Sequence, residues 1–136
     1  MSLFTLSILT PERTFFTGEV QRLVVRTSEG DLGILARHEK YVAALPEGPM
    51  RIVMEDGSVR LAAISGGMLK VSPDHTAILA NAVEWAEDID VDWAKRSRED
   101  ALRRKEAGSN LAQLQRAEAK LRRAVNRLKV SGMKPE

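Results

Sequence analysis

The chain has 136 residues, 43% of them apolar, no cysteine, and a net charge of +2 at neutral pH. That length holds one compact domain with an appendage, and the missing thiols exclude disulfides and every zinc site that needs thiolate ligands. No stretch of about 18 apolar residues occurs, so no single helix is expected to span a membrane.

From the start the apolar residues recur at period two, the spacing at which side chains share one face of a strand. Phe4, Leu6 and Ile8 alternate with Thr5 and Ser7, so the opening reads as a strand and not as a signal peptide. Further strands are expected at 19–26, 31–35, 50–54, 58–64, 68–72 and 76–83, after a first one at 3–9. Seven or more short strands suggest a sandwich or barrel. Asp56-Gly57 lies between Arg51-Ile52-Val53-Met54 and Val59-Arg60-Leu61-Ala62 and marks a hairpin, because Asp-Gly accepts positive φ. Pro11-Glu12, Glu47-Gly48-Pro49 and Pro73-Asp74 read as breaks between strands.

After Val83 the spacing becomes helical. Asp90 or Asp92 is placed to cap a helix over 91–107, and Gly108-Ser109-Asn110 supplies a stop, a turn and a new cap for a second helix reaching about residue 130. So short a connection implies an antiparallel pair. Leu114, Leu121 and Leu128 recur every seven residues, with Leu111, Ala117, Glu118 and Val125 between them, and read as a short coiled-coil seam. Val91, Ala94, Ala101 and Leu102 of the first helix are expected opposite. With so few large aliphatics, the hairpin is expected to fold firmly only when docked on its own strand domain or on a partner.

Charge divides at the same place. Residues 1–90 carry 8 basic against 13 acidic side chains, a net of −5, and residues 91–136 carry 13 against 6, a net of +7. Such asymmetry points to a segment that works against another surface. Arg103-Arg104-Lys105 and the series Arg116, Lys120, Arg122, Arg123, Arg127 and Lys129 read as the wet face of amphipathic helices.

Catalytic and metal chemistry is not expected. His38 and His75 are far apart and lack metal-ligand spacing, and no phosphate-cradling Gly-Lys-Ser or Gly-Lys-Thr loop occurs. Gly66-Gly67 reads as a turn or a close-packing site, and Glu84, Glu87, Asp88 and Asp90 as a solvated acidic edge.

Three stretches in register carry a resemblance: Thr27-Ser28-Glu29-Gly30-Asp31-Leu32-Gly33-Ile34-Leu35 followed by His38, then Ile64-Ser65-Gly66-Gly67, then Ala86-Glu87-Asp88-Ile89-Asp90 leading into the helices. Together they resemble the epsilon subunit of bacterial-type rotary ATP synthases. The resemblance implies a flattened β-sandwich of about ten strands over 1–88 and an antiparallel two-helix hairpin, a regulatory arm, over 89–136. It implies a non-catalytic rotor subunit without cofactor. The sandwich would bind the gamma subunit and the c ring, and the arm would extend toward the alpha and beta subunits and impede hydrolysis. The resulting location is peripheral, on the cytoplasmic face of the bacterial inner membrane, through the complex alone. Partner contacts are expected at Glu29, Asp31 and His38 on the sandwich and at Arg103, Arg104, Arg122 and Arg123 on the arm.

Two departures stand out. Many members read Leu-Pro-Gly-His where this chain has Leu35-Ala36-Arg37-His38, so a turn of different shape is expected. Some members bind ATP through Ile-Asp-x-x-Arg-Ala, and here Ile89-Asp90-Val91-Asp92-Trp93-Ala94 puts an indole in the arginine's place. Glu84, Asp90, Arg123 and Arg127 are the remaining ATP candidates, and without the arginine ATP binding is not expected. A competing reading, in which the basic helices track nucleic-acid phosphates, is opposed by Glu99, Asp100, Glu106 and Glu118 and by the absence of a stacking platform beyond Trp93. A small enzyme built on the acidic edge from Glu84 to Asp90 has only generic carboxylates behind it.

Overall fold

The computed structural model describes residues 2–134; Met1, Pro135 and Glu136, at the outer ends of the two expected regions, lie outside the described residues. Among the described residues seven strands and two helices follow in order: β1 (Phe4–Leu9), β2 (Thr14–Thr27), β3 (Gly30–Ile34), β4 (Tyr41–Met54), β5 (Val59–Val71), β6 (His75–Ala80), β7 (Val83–Trp85), a 3-10 turn (Ala86–Asp88), α1 (Val91–Ala107) and α2 (Leu111–Ser131).

Alternation decides what faces inward. In β1 the side chains of Phe4, Leu6 and Ile8 are buried while Thr5 and Ser7 look outward, and the same period places Leu23, Val25, Met50, Ile52, Leu69 and Ile78 in one core. The order β1-β6-β5-β4-β2 returns to β1 through the antiparallel β1–β2 ladder, so the sheet closes on itself, with β3 added beside β2 and β7 beside β5. β1 and β6 run parallel and the other pairs antiparallel. Closure leaves few free sheet edges, which protects an all-β body from pairing with other chains.

The three long strands explain the count. β2 pairs with β1 through residues 14–20 and with β4 through 20–25, changing partner at a register shift next to Val20. β5 pairs with β7 over Ala62–Ile64 and with β6 over Gly67–Val71, and β4 follows β5 along nearly its whole length. Seven strands stand among the described residues where about ten were expected, because β2, β4 and β5 are long enough to pair with more than one neighbour. The sequence signals cut two of these strands short. Pro46 and Pro49 lie within β4, where its ladder with β2, confined to residues 50–54, has not begun. A proline removes no ladder bond from an unpaired side. Gly66-Gly67 lies within β5, and a Cβ on Gly67 would come within 2.3 Å of the Leu79 carbonyl oxygen, so the glycine serves close approach of β6.

The hairpin at Asp56-Gly57 forms as expected. Met54 N–H donates to Ser58 O at 2.8 Å, Gly57 has φ of 88°, and the Asp56 carboxylate accepts from the Ser58 hydroxyl at 2.6 Å and from its N–H at 2.9 Å, which holds that carboxyl below its usual range. Asp90 caps α1 by accepting from Trp93 N–H, and Asn110 caps α2 by accepting from Gln113 N–H, both at 2.9 Å.

The leucine seam is corrected. The buried residues of α1 are Ala94, Ser97 and Ala101, and the buried apolar residues of α2 are Ala117, Ala124 and Val130. Leu114, Leu121 and Leu128 are half-buried, while Val91, Leu102, Leu111 and Val125 are exposed. Small side chains let two helices approach closely, and a two-helix layer with solvent on its outer side cannot enclose its flanking leucines.

The turn after β3 contains a left-handed residue. Arg37 has φ of 64°, the one positive value outside glycine among the described residues, and its N–H donates to Pro73 O at 2.7 Å. A side chain in that region costs about 1–2 kcal/mol, against roughly 0.4–1 kcal/mol for the extra freedom glycine gives the unfolded chain. Arg37→Gly is therefore expected to raise stability by about 0.5–1 kcal/mol. A denaturant midpoint left in place or lowered would contradict that account.

Candidate functional site at the body–arm interface

α2 lies between the sandwich and α1, and its two long sides meet different surfaces. Arg122, Asn126 and Val130 recur every four residues and therefore share one side of the helix, the side toward β4 and β5. At its centre the buried Asn126 amide donates to Gly48 O at 3.1 Å and Ile64 O at 3.2 Å, the carbonyls of two residues paired across β4 and β5. One turn earlier Arg122 bonds Glu47 at 3.0 Å, and one residue later Arg127 bonds Glu84. One turn beyond, Val130 enters a small apolar cluster with Leu61, Ala63 and Ile89.

Trp93 completes a three-element clasp. The Arg127 guanidinium that binds Glu84 of β7 also lies 5.1 Å from the centre of the Trp93 ring on α1. Trp93 with Arg127, and Asp100 with Lys120, set the antiparallel register of the helices. Below the joint, Trp85 packs on Phe15 and carries the Arg60 guanidinium 3.6 Å from its ring centre, and Arg60 in turn holds Glu87 at 2.6 Å. Ile89, buried beside Ala86 in the same cluster as Val130, fixes the chain as it leaves the sheet.

The displaced carboxyls here all move down. Burial raises Glu47, but hydrogen bonds from Arg122 and from its own backbone N–H, with the nearby charges of Arg122 and Arg123, outweigh it. Glu87 is lowered by its own backbone N–H and by Arg60, and Asp100 by the hydrogen bond from Lys120, with Arg104 and Arg103 nearby. Carboxylates stabilised in their charged form suit docking; a proton-transferring acid needs the opposite displacement. Among the described residues no group of histidine, aspartate and glutamate is arranged to hold a metal, and no helix is long and apolar enough to cross a membrane.

The expected residues fall in four places. Of the ATP candidates, Glu84 and Arg127 are in direct contact, and Arg123 faces Glu47, Asn81 and Met68 across a cleft of about 600 Å³; Asp90 is engaged as the α1 cap. Glu29 and Asp31 lie at the β2–β3 turn, where Asp31 is bonded by Arg26 at 2.9 Å and Glu29 N–H donates to the Thr27 hydroxyl. His38 is half-buried after the Arg37 turn, its Nδ1 2.7 Å from Glu39 O. Arg103 and Arg104 are exposed on α1 around Asp100, and Arg122 is exposed while bonding Glu47, so the wet-face reading fails for Arg127, which is largely buried against Glu84.

Two features escaped the sequence reading. Asn126 stands four residues from Arg122 and from Val130, a polar residue in register with an apolar one, and that spacing was the available signal. The other is an apolar patch on the sandwich: Ala44, Met68 and Leu79 form one outward rung across β4, β5 and β6, and Val42 lies beside them opposite Lys70. Val42 is 61% exposed, Met68 45% and Leu79 57%. Contiguous outward apolar side chains on a sheet mark an interaction surface.

Comparison with known proteins gives a consistent result. The model of the ATP synthase, Delta/Epsilon chain, beta-sandwich domain matches residues 3–86, and that of the long alpha-helix domain of the same chain matches residues 87–132. The chain is 42% identical over 135 residues to the ATP synthase epsilon chain of Ruminococcus albus, covering 98% of this chain and 100% of that one. It is also 42% identical over 131 residues to that of Caldicellulosiruptor bescii, covering 96% and 95%. Among solved structures, a chain in the OSCP/F1/c-ring structure of Euglena gracilis mitochondrial ATP synthase has the same fold, with a TM-score of 0.80 at 24% identity over 90% of this chain and 77% of that one. A chain in the central stalk/c-ring structure of Tetrahymena thermophila mitochondrial ATP synthase gives 0.70 at 16% identity, over 94% and 96%.

Two outcomes follow from the interface. Asn126→Ala leaves two buried carbonyls without their donor, at about 1–3 kcal/mol. Tryptic cleavage within 116–129 is then expected to accelerate by about tenfold or more while the melting of the sandwich stays unchanged; wild-type cleavage rates would contradict the role of the amide. Because the folded-state pKa of Glu47 lies below its free-chain value, its pair with Arg122 supports docking fully above the usual carboxylate range and loses that support as pH falls through the depressed value. The Asn126 side-chain amide resonances should report undocking as pH falls below the usual glutamate range, with that limb flattened in Glu47→Gln. An unchanged acid limb in the variant would remove Glu47 from the account.

Proposed function

The chain belongs to the ATP synthase epsilon-chain family, and on that premise we propose that it is a non-catalytic subunit of the central stalk, part of the rotor that couples ion flow to ATP synthesis and hydrolysis. The observation that carries this reading is the match over both regions and nearly the full length of bacterial epsilon chains. The outward apolar rung of Ala44, Met68 and Leu79, with Val42, offers the gamma subunit a docking face on the sandwich. The β2–β3 turn with Glu29 and Asp31 offers polar groups to the c ring, and His38 contributes from the turn after β3. The complex sits on the cytoplasmic face of the bacterial inner membrane, and this chain meets the membrane only through it.

The arm is the regulatory part. In the docked form described above, Val91, Leu102, Leu111 and Val125 remain exposed, so a second surface can be covered when the arm leaves the sandwich. A helix of 21 residues is about 30 Å long, enough to reach the alpha and beta subunits once extended. Arg103, Arg104, Arg122 and Arg123 then favour acidic surfaces there. Arg127 is engaged by Glu84 and Trp93, so ion pairing and packing contribute to holding the arm. The nucleic-acid reading gains nothing: Arg103, Arg104 and Lys120 turn to Asp100, Arg122 to Glu47 and Arg127 to Glu84, which breaks the basic face into internal pairs.

Reconstitution with the alpha, beta and gamma subunits tests this. The full chain and a chain ending at Asp90 are both expected to bind gamma, and only the full chain to restrain ATP hydrolysis. Met68→Glu should weaken gamma binding by about tenfold or more. Failure of both chains to bind gamma would overturn the stalk assignment, and equal hydrolysis rates would overturn the regulatory role of the arm.

A further inference from the structure

Along the joint between sandwich and arm, one cleft opens onto the outward apolar rung. Glu47, Ser65, Met68, Leu79 and Asn81 of the sandwich and Arg123 of α2 stand in its lining, around a volume of about 600 Å³. Met68 and Leu79 belong to both features, so a partner seated on the rung reaches the mouth of the cleft without a gap. The charges within do not cancel. Glu47 is the carboxylate of the lining, and Arg122 already bonds it at 3.0 Å, so Arg123 adds a second cation beside an acid that has its partner. The backbone fixes the sandwich side: Ser65 N–H donates to Ala82 O and Asn81 N–H to Gly66 O, both at 2.9 Å. Among the described residues no hydrogen bond or ion pair engages the Ser65 hydroxyl, the Asn81 side-chain amide or the Arg123 guanidinium.

Three donors around one opening call for an acceptor. A carboxylate has two oxygens, which match the paired N–H groups of a guanidinium and can accept from an amide or a hydroxyl as well. The apolar half of the lining suits an aliphatic stem, which an aspartate or glutamate side chain among apolar neighbours supplies. We propose that the cleft receives an acidic side chain of the stalk partner seated on the rung, so that the partner is held by sandwich and arm at once. The proposal rests on the stalk assignment and adds the arm to its docking surface. Arg123 lines the cleft because α2 is docked beside it, so partner binding and arm docking favour each other by the same factor. Release of the arm then removes one charge-assisted contact from the partner, and loss of the partner loosens the arm.

Binding of the full chain to the gamma subunit alone, which keeps alpha and beta out of the measurement, tests the proposal. Saturating gamma is expected to slow hydrogen exchange of the α2 amides by about tenfold. Arg123→Gln should abolish that slowing and weaken the affinity by about tenfold. Asn81→Ala alters the sandwich side of the cleft and leaves the arm's own contacts in place, and it should weaken the affinity by about fivefold. Arg116→Gln makes the same change of charge on the same helix outside the cleft and is expected to alter neither reading. Failure of the wild-type chain to bind gamma would overturn the stalk assignment and this proposal together. Gamma binding that leaves α2 exchange unchanged, that keeps its strength in Arg123→Gln or Asn81→Ala, or that falls equally in Arg116→Gln would overturn the proposal alone, the last because diffuse attraction to a basic helix would then account for it.

Discussion

The arm's position depends on two backbone carbonyls that the sandwich alone leaves without a helix donor. Gly48 and Ile64 are paired across β4 and β5, both are buried, and both carbonyls accept from Asn126. Buried carbonyls require partners, so the amide fixes where α2 lies and how it is rotated. Arg122 and Arg127 then fall opposite Glu47 and Glu84, and Val130 opposite Leu61 and Ala63. α1 has its surface on α2, and its alanines set how closely it approaches. A docking surface built this way is directional and mostly polar at its centre, which allows it to be specific without being large.

Body and arm are held by different physics. The closed strand ring surrounds one apolar core from Phe4 to Ala80, and no strand can leave it without exposing that core. The arm rests on a pair of hydrogen bonds, two ion pairs and a four-residue apolar cluster. Exposed or half-exposed ion pairs are worth little each and weaken with salt. Part of the opposite charge of the two regions is thus an internal complementarity: acids of β4 and β7 meet arginines of α2.

Much of this was legible in the sequence where local chemistry decides the outcome. Alternation revealed β1 and the core face of the other strands, and the two caps, Asp90 and Asn110, fixed helix starts that packing did not alter. Legibility failed where a distant partner overrides a local signal. Glu47-Gly48-Pro49 read as a break because a sequence does not show that one side of β4 is unpaired there. The leucine heptad read as a seam because spacing alone does not distinguish a layer that solvent reaches from one enclosed on both sides. Glu84 and Arg127 were singled out through family resemblance, and their contact spans 43 positions of sequence, beyond any local pattern. Asn126 looked like any other polar helix residue, since nothing nearby reveals the carbonyls it serves.

The central claim is that the docked arm is a unit separable from the sandwich, held through α2. Native-state hydrogen exchange on the intact chain tests it most directly. The account predicts that amides of α1 and α2 open together at a free energy below that of the β4 and β5 amides, and that added salt speeds their exchange and leaves the strands unaffected. Exchange of the helices in step with the strands, at one common free energy and without salt dependence, would contradict it.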